Sequence, residues 1–123
     1  MEKLEPGRTA EVALTVTRAD TAIALASGEV AVLSTPRVLA LAEQAAVIAV
    51  KPALPPEETS VGAWVELDHL APTPVGETVR ARATLVRVEG RRLEFDISVH
   101  QGETLVARVR HRRAVVARSA FPA

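Results

Sequence analysis

The sequence predicts an α+β fold, a curved antiparallel sheet wrapped around one central helix. Two patterns carry that expectation. Val38 to Val50 is built from Ala, Val, Leu and Ile with only Glu43 and Gln44 between, a helix so apolar that other structure must cover it. The second half of the chain alternates apolar and polar residues in four segments of about ten positions, longer than the usual strand of about five or six. Length points the same way: 123 residues, 48% of them hydrophobic, suit one domain over residues 1–123 with a real core.

In chain order, Thr9 to Thr17 sets Ala10, Val12, Leu14 and Val16 against Glu11 and Thr15, a half-buried strand. Residues 18–33 mix Ala, Val and Leu with Gly28 and three charges, and read as a loop or short helix. Ser34-Thr35-Pro36 supplies a hydroxyl N-cap and a proline at the first helical position, where its missing N–H costs nothing. Lys51 complements the C-terminal dipole, Pro52 stops the helix, and Pro52 to Ser60 is a connecting loop. Val61 to Ala71 then places Val61, Ala63, Val65, Leu67, His69 and Ala71 on one strand face. After the turn Pro72–Gly76, Glu77 to Glu89 sets Val79, Ala81, Ala83 and Leu85 opposite Arg80, Arg82 and Thr84. Glu89-Gly90 is a hairpin signal into Arg91–Gln101, where Leu93, Phe95, Ile97 and Val99 oppose Arg92, Glu94, Asp96 and Ser98. Gln101-Gly102 turns again, and Thr104 to Arg118 alternates to the end. A meander of long strands curled about an apolar helix is the hotdog arrangement.

Composition excludes several functions. Fifteen basic and fifteen acidic residues cancel, whereas nucleic-acid binding needs a positive surplus, and aromatics at 2% leave few rings for stacking bases. Without cysteine there is no disulfide, zinc-thiolate site or thiol nucleophile. No histidines stand at metal-ligand spacing, and the six glycines are scattered rather than gathered in a phosphate-binding loop. The opening Met1-Glu2-Lys3-Leu4-Glu5-Pro6 does not resemble a signal peptide, and no stretch reaches the roughly 20 apolar residues of a membrane span. A cytoplasmic protein is expected.

Function is sought where polar residues interrupt apolar faces. Glu43 lies mid-helix, where a buried carboxylate without a partner is costly. His69 follows Val65 and Leu67, and Arg113 follows Leu105, Ala107, Val109 and His111 at period two. Each has a structural alternative: a solvent-facing glutamate, a core or interface histidine, a snorkelling arginine. Thr35 serves equally as N-cap, and Gly62 marks either a bulge or a close approach. His100 and His111 read as structural, since neither has a carboxylate at a suggestive spacing. The arginines at 80, 82, 91, 92, 108, 110 and 112 read as a solvated face, a subset of which could hold phosphates.

These residues, in this order, resemble the fluoroacetyl-CoA thioesterase-like family of hotdog proteins. The likeness runs from about Thr35 to Val116. It rests on Thr35 and Glu43, on Gly62 and His69 before Ala71-Pro72-Thr73-Pro74-Val75-Gly76, on Val88-Glu89-Gly90-Arg91-Arg92-Leu93, and on Arg113-Ala114-Val115. The resemblance implies a catalytic set of Thr35, Glu43 and His69, substrate contacts at Gly62 and Arg113, and no metal. It implies hydrolysis of a small or short-chain acyl-CoA, with coenzyme A carried as part of the substrate and no separate cofactor. A homodimer with interfacial sites is implied too, with pairing into a tetramer open. Family members selective for fluoroacetyl carry phenylalanines before the threonine; here Ala26 to Leu33 holds none, so a broader or different short-chain acyl group is expected.

Thr35 and Glu43 stand about 12 Å apart along the helix and on different faces, so they cannot hydrogen-bond directly. Either water and His69 lie between them, or the working set joins two subunits; the interface is the favoured arrangement. Two alternatives remain at this level. One is a non-catalytic hotdog that binds an acyl ligand or serves assembly, and the other is an acyl-thioester dehydratase.

Overall fold

The computed structural model describes residues 2–122. Its elements run β1 (Thr9–Thr15), α1 (Thr35–Val50), β2 (Glu58–His69), β3 (Thr78–Glu89), β4 (Arg92–Gln101) and β5 (Thr104–Ala117), with short 3-10 turns at Arg18–Asp20, Lys51–Ala53 and Arg118–Ala120. The strands form one antiparallel sheet in the order β1-β3-β4-β5-β2, so β2, second in sequence, lies at an edge beside β5. Gly90 and Gly102 take positive φ, 61° and 58°, in the two hairpin turns, a conformation open to glycine without steric cost.

Val79, Ala81, Ala83 and Leu85 of β3 and Leu93, Phe95, Ile97 and Val99 of β4 are buried on the inner face, where α1 packs. The helix answers with Val38, Leu41, Ala42, Ala45, Ala46, Ala49 and Val50. Its alanines let the axis lie close to the sheet, and the burial supplies most of what holds the layers together. The helix is embraced rather than encircled: Ala40, Gln44 and Ile48, spaced by four residues, are exposed along one side.

One open reading closes and two sequence expectations change. Residues 18–33 hold one 3-10 turn and then a loop, pinned where Thr21 bridges Leu33 and Val32 bridges Pro74. Ser34, not Thr35, is the N-cap, its Oγ accepting from the Arg37 N–H at 3.2 Å, so the Thr35 hydroxyl is released for another partner. Finally, β2 begins at Glu58 and a bulge interrupts it between Gly62 and Trp64. One extra residue reverses the side on which every earlier side chain falls. Ser60 is therefore buried and Ala63 exposed, while Leu67 and His69 keep their expected inward phase.

Candidate active site

The N-terminus of α1 is tied to the turn that follows β2. Leu33 N–H donates to the Thr73 carbonyl at 2.8 Å, and Thr73 is fully buried there. That tie carries Thr35, one residue beyond the cap, onto the end of β2, where its Oγ1 lies 2.8 Å from His69 Nδ1. The far ring nitrogen of His69, Nε2, is buried with no hydrogen-bond partner among the described residues. Burial pushes the His69 pKa down, so the ring is neutral at pH 7.

Glu43, midway along α1, belongs to a second cluster. Its Oε2 accepts from Arg113 Nη1 at 3.3 Å and lies 3.7 Å from His111 Nε2. Its side chain is 38% exposed, which leaves the carboxylate within reach of a ligand. Arg113 is buried, 6% exposed, and its other donors go to Ser60: Nε to Oγ at 2.8 Å and Nη2 to the carbonyl at 3.1 Å. Burial pushes the Arg113 pKa down and Glu43 pushes it back up. Gly62 stands against the carboxylate, where a Cβ would come 2.6 Å from Glu43 Oε2.

The five residues singled out from sequence thus gather into two groups, Thr35 with His69 and Glu43 with Gly62 and Arg113. No hydrogen bond or ion pair among the described residues joins the groups within one protomer. Sequence reasoning missed Ser60 and His111. Ser60 sat in an expected loop, while His111, read as structural, is 3% exposed beneath the Glu43 carboxylate. The signal for His111 was its place on the same inward face two residues before Arg113.

The outer sheet face is separate. A concavity of about 710 Å³ there is lined by Arg82, Arg108, Arg110 and Arg112 with Glu94 and Asp96, and it holds none of Thr35, Glu43 or His69. Its charges compensate across strands, with Asp96 opposite Arg110 and Glu94 opposite Arg112, as a solvated face requires. Among the described residues, no three His, Asp or Glu side chains are grouped to hold a metal ion.

Two outcomes follow from this geometry. In Gly62→Ala the carboxylate must move aside, but it ends a flexible side chain. Activity resting on Glu43 therefore falls at least about tenfold, while the thermal midpoint barely changes; kinetics and a melt on one preparation check this. The second concerns acid. His69 and His111 both have folded pKa values below the ordinary 6.5, in each case through burial first. Below that value the unfolded chain binds protons that the folded chain does not, so stability is full above about pH 6.5 and falls as pH drops. Urea midpoints at successive pH values from 7.5 to 5 should decrease, and a flat series would contradict the assignment.

One helix held against a curved five-stranded antiparallel sheet, with polar side chains meeting where helix and edge strand cross, defines a hotdog-fold protein of thioesterase type. The chain belongs to the fluoroacetyl-CoA-specific thioesterase (FlK) family, whose model matches residues 16–119. A fluoroacetyl-CoA thioesterase of Streptantibioticus cattleyicolor is 41% identical over 85 residues, 69% of this chain; the match spans 61% of that curated relative's length. A solved structure of the fluoroacetyl-CoA thioesterase FlK superposes with a TM-score of 0.91 at 32% identity, covering 98% of this chain and 93% of the other. A hot-dog-like protein from Thermanaerovibrio acidaminovorans superposes with a TM-score of 0.86 at 28% identity, over 94% and 86% of the two chains.

Proposed function

We propose that this chain hydrolyses a short-chain acyl-CoA to the free acid and CoA, as a homodimer whose two active sites lie between subunits. The observation that carries this reading is the division of the polar set along one edge strand. Gly62, with Glu43 against it, lies in the first half of β2, and His69, with Thr35, ends the strand. Trp64 and Val65 between them are each 38% exposed on a strand of 12 residues with an unpaired edge, the kind that soluble proteins normally cover. Antiparallel pairing of β2 with its copy about a two-fold at Glu66, with the bulge at Ala63 taking up one residue, sets Gly62 opposite the partner's His69. Each site then receives Glu43, Gly62 and Arg113 from one subunit and Thr35 and His69 from the other.

In that arrangement Glu43 acts on the acyl carbon, directly or through a water, and the Gly62 N–H is placed to stabilise the oxyanion. Water adds to the carbonyl, the C–S bond breaks, and the thiolate leaves with a proton supplied through His69 and Thr35. Side chains and water suffice, with CoA carried as substrate. The loop before α1 offers Ile23, Leu25 and Val30, all exposed, and no aromatic ring between Ala26 and Leu33. This supports acyl groups other than fluoroacetyl. No helix among the described residues is long and apolar enough to cross a membrane, and we place the enzyme in the cytoplasm.

The test is release of free CoA from acetyl-CoA and longer acyl-CoAs, followed with a thiol reagent; the protein has no cysteine to add background. Turnover with short chains is expected. Binding without thiol release would make this an acyl-binding or assembly module, and a changed acyl group without thiol release would make it a dehydratase.

A further inference from the structure

His111 is buried in the site, and its protonation is fixed by its neighbours. Nδ1 lies 2.8 Å from the Trp64 carbonyl, which can only accept, so Nδ1 carries the proton. Nε2 is therefore bare, and it accepts from Arg113 Nη1 at 3.0 Å. A proton on Nε2 would set two donors and two positive charges face to face. Burial pushes the His111 pKa down; the Trp64 carbonyl pulls it partly back, and Arg113 lowers it and Glu43 raises it more weakly.

Ser60 completes the hold on the guanidinium. Its Oγ and carbonyl take the Nε and Nη2 edge, so the plane of Arg113 is set by the backbone of β2. One Nη1 proton goes to His111, and the other is left for Glu43 Oε2. Trp64, whose carbonyl anchors His111, is the residue at which pairing with β5 resumes after the bulge that contains Gly62. The bulge, the imidazole, the guanidinium and the carboxylate thus form one connected chain of contacts, and bulges often stand beside active sites to aim a side chain.

We propose that Ser60 and His111 are positioning residues, holding the Arg113 guanidinium so that a single Nη1 proton pins Glu43 Oε2 and leaves Oε1 turned toward the acyl thioester. This deepens the hydrolase reading and rests on it for its catalytic consequence. His111 does not touch the substrate and moves no proton; it acts as a neutral acceptor. A merely structural histidine would need only to fill space and satisfy the Trp64 carbonyl.

Two substitutions separate these roles. His111→Gln can place an amide oxygen near the former Nε2 and keep an acceptor for Arg113 while losing the donor to Trp64. His111→Asn keeps a donor for the Trp64 carbonyl but is too short to reach Arg113. In His111→Asn we expect kcat to fall at least about tenfold with KM within about twofold, a loss confined to the transition state. His111→Gln should recover most of that loss, and Ser60→Ala should lower kcat in the same sense. Equal kcat in the two His111 variants, or losses that follow the thermal midpoint alone, would overturn the proposal. A measurement independent of turnover is ¹⁵N NMR of the histidine rings in the wild-type protein. A protonated Nδ1 and bare Nε2 on His111 at pH 7 to 8 are expected; a protonated Nε2 there would overturn the proposal even if no acyl-CoA were hydrolysed. Failure of thiol release with the expected ring state would instead count against the hydrolase reading.

Discussion

Glu43→Gln should reduce kcat/KM for acyl-CoA hydrolysis by about 10²–10⁴-fold, the range that a positioned acid–base group supplies. The amide keeps an oxygen where Arg113 Nη1 donates at 3.3 Å, so the guanidinium retains an acceptor and the fold persists. What disappears is the negative charge proposed to act on the acyl carbon or its water. The carboxylate suits this work because three restraints meet on it: Arg113 on Oε2, the backbone of Gly62 where no Cβ fits, and the helix that carries it. A folded Glu43→Gln protein, verified by circular dichroism, that lost less than about tenfold, or about 1.4 kcal/mol of transition-state stabilisation, would remove Glu43 from the chemistry.

Mixing two inactive variants should restore turnover. Glu43→Ala lacks one half of each proposed site and His69→Ala lacks the other. If every site draws Glu43 from one subunit and His69 from its partner, a mixed dimer contains one intact site and one doubly damaged site. Random re-pairing makes half the dimers mixed, so activity should rise to about a quarter of wild type. Each variant alone stays near background. If instead one chain supplied both groups, mixing would restore nothing, and the two-fold at Glu66 would be wrong. Val65→Asp gives an independent view, because it sets a carboxylate without a partner against the apolar side chain of the partner's Leu67. Sedimentation should then show monomers, with hydrolysis lost alongside.

Legibility in the sequence divided by range. The central helix, both hairpins and the inner faces of β3 and β4 could be read directly. Apolar residues recur there with the period of the element, and glycines stand at the turns that need positive φ. Glu43, His69 and Arg113 were visible as polar residues on otherwise apolar runs, whereas Thr35 read as an N-cap and entered the candidate set only through the family likeness. The N-cap was only half visible, since Ser34 and Thr35 offer the same hydroxyl and the choice follows from which one finds a second partner.

Local pattern specified the helix, the long strands and the apolar faces, because a period of two or of 3.6 is written into neighbouring residues and needs no distant contact. Tertiary packing decided the rest. Gly62 left a bulge and a close approach equally open, and only packing makes both true, turning Ser60 inward and setting the strand backbone against Glu43. The meeting of Arg113 with Glu43, 70 residues apart, exists only because α1 packs on the inner face, toward which Arg113 of β5 points. His111 gained its role in the same way: burial removed water from its ring, and the Trp64 carbonyl and Arg113 guanidinium then chose which nitrogen keeps the proton.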